Sequence, residues 1–309
     1  MELPSYDYLK GLSLAQLMEL GLSIKLSHRG ASLGLCTITN AKSGACSEDC
    51  SFCAQAANSR AEISVYALKD LDTLLNEAEI AKRSGAQRFS LVTSGKGPSP
   101  GTVEKIARYI EEISRRVDIC LCASLGIASV DDLKILKEAG LSRYHHNLET
   151  SKDFFPEICT THTYQQRVDT IKNAKEAGLE VCAGGIIGLG ESENDRYLMA
   201  RELACLRVHS CPVNILVPIK GTPLEGQGRI SLPEILRTVA MWRIMLPWAA
   251  IRIAGGREKV LKDMQALVFM AGADAMLIGG YLTTRGRPPE EDILMAKELK
   301  ILWKALQGS

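Results

Sequence analysis

Cys46, Cys50 and Cys53 stand in a C-x3-C-x2-C spacing within the stretch Ser43-Gly44-Ala45-Cys46-Ser47-Glu48-Asp49-Cys50-Ser51-Phe52-Cys53. Thiolates are soft ligands that suit iron–sulfur clusters and zinc. A 4Fe–4S cube held by three cysteines keeps one iron without a protein ligand, which is the open position a catalytic cluster needs. Phe52 lies between the last two cysteines, where an apolar side chain limits water and tunes a cluster. A structural zinc site takes four ligands, usually as two pairs, and the chain has no second C-x2-C. A disulfide framework belongs to short exported chains. This chain has 309 residues, and Met1 to Lys10 carry neither a basic n-region nor an apolar h-region.

Composition agrees. Ten cysteines in a chain without an export signal indicate metal chemistry in a reducing compartment, so a cytoplasmic location is expected. The formal net charge of +1 gives no sign of nucleic-acid binding. No apolar run reaches the roughly 18 residues of a membrane span, so no membrane partner is expected. Hydrophobic residues make up 46% of the chain, enough for one large core.

These side chains need a scaffold, and the rest of the chain describes one. Leu14, Leu17, Met18 and Gly21 have helical spacing, so residues 1–32 read as a helical preface. Leu33 to Thr39 reads as strand one, leading directly into the cysteine loop. Helix Asp70–Ser84, strand Arg88–Thr93, helix Thr102–Arg115, strand Val117–Ala123, helix Val130–Ala139 and strand Arg143–Asn147 follow. Thr163-x-x-Gln166 is a capping box opening a helix that Gly178 closes. Strand Glu180–Ile187, helix Ser192–Leu206, strand Val213–Val217, helix Leu232–Met245, strand Ile251–Ile253, helix Glu258–Ala271 and strand Ala275–Ile278 continue the alternation. Pro288-Pro289 starts a closing helix.

This pattern predicts an α/β fold: a single domain, 1–309, with a parallel (β/α)8 TIM-type barrel over 33–287 and a C-terminal helix over 288–309. A doubly wound open sheet is the alternative. Barrel enzymes work at the C-terminal ends of their strands, and the polar candidates fall there. The cysteine loop follows strand one, Asn147 and Glu149 end strand four, a glycine run to Glu191 ends strand five, Asn214 lies on strand six and Arg252 on strand seven.

Cys46-x3-Cys50-x2-Cys53 with an aromatic before the last cysteine resembles the radical S-adenosylmethionine (SAM) superfamily. Within it, the chain is similar to the biotin synthase family. The matching stretches are Asn40-Ala41-Lys42-Ser43-Gly44, Tyr144-His145-His146-Asn147-Leu148-Glu149-Thr150-Ser151, Thr160-Thr161-His162-Thr163-Tyr164, Gly184 to Glu191, Lys220-Gly221-Thr222-Pro223-Leu224, Ile251-Arg252-Ile253-Ala254-Gly255-Gly256-Arg257 and Tyr281-Leu282-Thr283-Thr284. They run in order from strand one almost to the closing helix.

The resemblance implies a 4Fe–4S cluster on Cys46, Cys50 and Cys53 whose free iron chelates SAM. Electron transfer then releases methionine and a 5′-deoxyadenosyl radical. It implies that Arg167 pairs with the SAM carboxylate, that Glu149 takes the ribose hydroxyls, and that Ile186 and Val217 contact adenine. Asn147 and Asn214 match residues that bind the ureido ring of dethiobiotin, the substrate to which sulfur is added. Flavodoxin or ferredoxin as electron donor, iron–sulfur assembly proteins and a homodimer are expected on the same grounds.

Two departures stand out. The family's auxiliary 2Fe–2S cluster, the sulfur donor, is held by three cysteines and an arginine. Cys122, Cys182 and Arg252 match, but Ser90 replaces the third cysteine, and serine is a poor substitute for a thiolate on iron. Cys36 on strand one is the expected replacement, coming from the neighbouring strand. Cys36, Cys122 and Cys182 then lie on alternate strands, which share a layer of a barrel interior. Three thiolates around a roomy site favour a 4Fe–4S cube over a 2Fe–2S rhomb. Cys120 shares the facing of Cys122, so it too is expected to point into the barrel. The second departure is His145 and Glu149, where the usual motif has asparagine and aspartate. His145 is a candidate substrate contact, or a residue one layer behind it. Lipoyl-synthase-like sulfur insertion into an octanoyl chain and metallocofactor maturation are the alternative functions.

Overall fold

Every strand of the molecule runs parallel to its neighbours. The computed structural model describes residues 3–99, 101–282 and 286–307. Thr283 and Thr284, part of the last matching stretch, lie outside these residues. The strands are β1 (Gly34–Lys42), β2 (Arg88–Thr93), β3 (Cys120–Ser124), β4 (Arg143–His145), β5 (Glu180–Cys182), β6 (Gly185–Ile187), β7 (Ser210–Ile215), β8 (Ala250–Ile253) and β9 (Ala275–Leu277). β1 pairs with β2 and β9, the ladder runs outward through β3 to β5 on one side and β8 to β6 on the other, and β5 pairs with β7 to close it. With β5 and β6 as two halves of one strand, this is the expected closed (β/α)8 barrel.

The interruption between β5 and β6 has a local cause. The register runs on across it, from Cys182 opposite Ser210 to Gly185 opposite Val213. Facing the gap is Pro212, which has no N–H for the ladder. Its carbonyl oxygen comes so close that a Cβ on Gly184 would lie 2.0 Å away. Only glycine fits such an approach.

Helices α3 (Leu71–Arg83), α4 (Thr102–Arg116), α5 (Val130–Glu138), α6 (Tyr164–Glu176), α7 (Glu193–Cys205) and α8 (Leu232–Met245) form the outer layer. Thr163 and Gln166 make the expected capping box at the start of α6. The helix expected over Glu258–Ala271 is instead two short ones, α9 (Arg257–Leu261) and α10 (Gln265–Met270). Between them Lys262 has a φ of 48°, outside the right-handed helical region. The preface is α1 (Tyr6–Gly11) and α2 (Leu14–Arg29), and the closing helix is α11 (Pro289–Leu306). Buried Lys25 of α2 donates to Gly30 O and sets its ammonium 3.0 Å from the Trp303 ring centroid, joining the two ends of the chain. No helix among the described residues is long and apolar enough to cross a membrane.

At the N-terminal end of the barrel, Glu180 pairs with Arg143 at 2.7 Å and Arg88 at 3.1 Å. These three side chains floor the barrel interior. Cys120 belongs to this end. It is exposed and lines a surface depression with Arg88 and Glu180. Instead of pointing into the barrel as expected, Cys120 stands at the exposed N-terminal rim, two residues before buried Cys122.

Candidate functional site

The cysteine loop leaves β1 through Gly44 and Ala45, with φ of 73° and 50°. Gln55 accepts hydrogen bonds from Gly44 N and Ser43 Oγ, and Ser94 Oγ donates to Gly44 O at 2.6 Å. Ser43 bridges Tyr66. The far end of the loop is fixed by Asp49, whose carboxylate accepts from Thr160 N at 2.9 Å and from the Thr160 and Thr161 hydroxyls. Burial raises the Asp49 carboxyl, but these bonds outweigh it and hold it well below the usual range. Thus Cys46, Cys50 and Cys53 come together on the wall of one cavity of about 180 Å³, with His145, Asn147, Glu149 and Arg167 opposite. Three thiols on the wall of one cavity fit a cluster with one open iron.

Of the expected SAM residues, Phe52, Glu149 and Arg167 line this cavity. Arg167 is buried, so it is no solvated helix arginine. It donates from Nη1 to Asn147 O at 2.9 Å and lies 3.5 Å from Glu149. Glu149 has a φ of 71°, the left-handed region that a non-glycine residue occupies only when its surroundings enforce it. A second cavity of about 300 Å³ adjoins, lined by Phe52, Cys53, Ile186, Asn214, Val217 and Lys259 among others. The asparagines are already half-engaged. Asn147 donates to Glu149 and accepts from Gly184 N, each at 3.2 Å. Asn214 donates to Gly185 O at 3.2 Å and accepts from Gly255 N at 2.9 Å. Each amide keeps a second N–H and a second lone pair for a ligand.

Deeper in the barrel, Cys36, Cys122 and Cys182 are buried free thiols. Arg252 Nη1 donates to Cys182 Sγ at 3.1 Å, and its charge also acts on Cys36 and Cys122. Burial pushes all three thiols up, Cys122 to about 11. At Cys182 the Arg252 guanidinium and His145 reverse this and bring it down to about 5. Arg252 Nε and Arg88 Nη1 are buried without a hydrogen-bond partner among the described residues. An anionic cluster on the neighbouring thiolates would supply that partner, so the donor set fits an iron–sulfur group. Ser90 lies in register with Cys122 and next to Ile38 of β1.

Three residues of the site were not anticipated. Cys159 and His162 are buried against the cluster loop, beside buried Glu48 within it. Cys159 Sγ lies 3.8 Å from Cys50 Sγ and 3.2 Å from His162 Nδ1. The ligand atoms of Cys50, Cys159 and His162 fall within 4.8 Å of one another, a metal-like grouping. Yet both ring nitrogens of His162 are engaged. Nε2 accepts from Arg167 Nε at 3.0 Å, which leaves the proton on Nδ1, 2.6 Å from Glu48 Oε2. A metal would find no free lone pair there.

The radical SAM superfamily model matches residues 41–203, and the Biotin and Thiamin Synthesis associated domain matches 212–301. The chain is 50% identical over 291 residues to the biotin synthase of Heliobacterium modesticaldum, covering 94% of this chain and 89% of that protein. The chain belongs to the biotin synthase family. The biotin synthase of Pelotomaculum thermopropionicum is 49% identical over 95% of this chain and 92% of its own length. Among solved structures, methylornithine synthase superposes with a TM-score of 0.81 at 20% identity, over 96% of this chain and 91% of that one. The hydrogenase maturase HydG of Carboxydothermus hydrogenoformans gives 0.80 at 19%, over 94% and 72%. At such identities these two show the shared barrel alone. Within the biotin synthase family, this chain sets one partly buried group of thiols in the loop after β1 and one buried group on the strands, with Asn147 and Asn214 near the strand ends.

Proposed function

We propose that this chain is a biotin synthase that inserts sulfur into dethiobiotin. One observation carries the reading: two thiol sets, one at the barrel mouth and one beneath it, share an interior with two half-engaged asparagine amides. Cys46, Cys50 and Cys53 would hold a 4Fe–4S cluster, which would supply the one-electron reduction of SAM that starts radical chemistry on the substrate. Arg167 holds the SAM carboxylate, since its planar fork suits that partner. Glu149 takes the ribose hydroxyls, and Ile186, Val217 and Phe52 shield the adenosine from water. Asn147 and Asn214 present one donor and one acceptor each to a ureido ring. His145 stands between the cavity and Cys182, oriented toward the sulfur site.

Cys36, Cys122, Cys182 and Arg252 hold the auxiliary cluster that donates sulfur, in a 4Fe–4S form rather than 2Fe–2S. Cys36 takes the place vacated at Ser90. Flavodoxin or ferredoxin delivers the electrons, assembly proteins reload the clusters, and the chain acts as a homodimer in the cytoplasm. The test is anaerobic incubation of the reconstituted protein with dethiobiotin, SAM and a low-potential reductant. Biotin should form. SAM cleavage that dethiobiotin neither stimulates nor diverts into biotin overturns the substrate, and an octanoyl chain becomes the next candidate.

A further inference from the structure

Arg167 is fixed from both ends. Its Nη1 donates to Asn147 O at 2.9 Å, and its Nε donates to His162 Nε2 at 3.0 Å. Nη2 makes no hydrogen bond among the described residues, and the side chain lines the cavity of the three thiols. His162 is itself held. Its Nδ1–H points at Glu48 Oε2, 2.6 Å away, and the Phe155 ring packs edge-on against the imidazole with centroids 5.6 Å apart. Glu48 lies between Cys46 and Cys50 in the cluster loop, and Thr161 Oγ1 fixes its carboxylate at 2.7 Å.

A continuous line of bonds therefore runs from the cluster loop through His162 to the guanidinium. We infer that His162 is a positioning residue that aligns Arg167 with the cluster, so that Nη2 meets the carboxylate of SAM. This rests on the reading of Arg167 as the SAM-carboxylate residue. The chemistry requires such a link. A carboxylate that must reach an iron and a guanidinium together tolerates little error in their separation. Arginine has four rotatable side-chain bonds, and an outer partner that takes Nε removes most of that freedom. The imidazole suits the task because one ring nitrogen faces the Arg167 Nε–H and the other faces Glu48.

The test compares two substitutions. Glutamine carries a donor and an acceptor spaced much like the two ring nitrogens, so His162→Gln can keep both bonds. Asparagine is one methylene shorter, and His162→Asn cannot span Glu48 and Arg167. Both variants retain a polar side chain in the same pocket. The measurement is SAM cleavage to 5′-deoxyadenosine without dethiobiotin, with the SAM titration of the reduced cluster's electron paramagnetic resonance signal. His162→Asn should raise the KM for SAM about tenfold, the effect of losing one charge-assisted bond, with kcat changed far less. The spectral titration should shift by the same factor, and His162→Gln should stay within about threefold of the unaltered protein on both readouts. An unchanged KM in His162→Asn overturns the inference, as does His162→Gln failing to the same degree. Neither readout involves biotin, so a chain that proves to act on another substrate tests the relay equally well.

Discussion

The three loop cysteines carry the first prediction at the residue scale. Cys46→Ala, Cys50→Ala and Cys53→Ala should each abolish reductive cleavage of SAM, measured as 5′-deoxyadenosine. Near-normal release from any one refutes the cluster assignment. Cys36 carries the second. The fully loaded protein should hold about eight irons per chain, and Cys36→Ala about four, with SAM cleavage retained. A 2Fe–2S spectrum, or an unchanged iron count, rules this arrangement out. These cysteines were legible because spacing and strand alternation are properties of short stretches. Glu48, Cys159 and His162 were not, because the loop after β1 and the loop before α6 meet across 114 positions of sequence. Cys120 shows the opposite limit. Alternation gives the direction of a side chain but not its height, and height decides whether it meets a cluster or solvent.

At the scale of elements, the positions of strands and helices were readable, while their breaks were not. The capping box before α6 is a local pattern and lies where the residues place it. The split of the fifth strand depends on Pro212, a residue of another strand, and the split of the helix expected over Glu258–Ala271 on the backbone at Lys262. Gly184 gives the prediction that belongs here. A methyl group there would meet the Pro212 carbonyl at 2.0 Å, and Ile186 follows two residues later on β6. Gly184→Ala should cost about 1–3 kcal/mol and weaken SAM binding, read by thermal denaturation and SAM titration of the loaded protein. A stability and affinity equal to the unaltered protein would show that the backbone can yield at this point.

At the scale of the whole molecule, buried charge pairs lock the shell to the barrel. Arg257 of α9 pairs with Asp292 of α11 at 2.8 Å, with both side chains fully buried. Asp292→Asn leaves the guanidinium with neutral acceptors, Gln265 and Leu277 O among them, and one outlying carboxylate, Glu258. Breaking a buried pair costs about 3–5 kcal/mol, so its melting temperature should fall well below that of surface variants. The floor of the barrel adds a pH effect. Burial raises the Glu180 carboxyl, but Arg143 and Arg88 outweigh it and hold it below its ordinary value. Its stabilising contribution is therefore present above the ordinary carboxylate range, near pH ~4.3, and is lost as pH falls through the lower folded value. The acid-side fall in melting temperature should be shallower in Glu180→Gln, and an identical slope would show that the floor carries no such linkage.

That same floor puts charged side chains at the far end of the barrel. Beneath Cys36, Cys122 and Cys182 the ion pairs of Glu180 stand across that end. On the proposed reading, sulfur lost to the product and sulfur brought to replace it use one doorway, and SAM and the substrate stand in it. Resupply must then wait until both have departed. The traffic is single file, and the slowest departure sets how soon the next round begins.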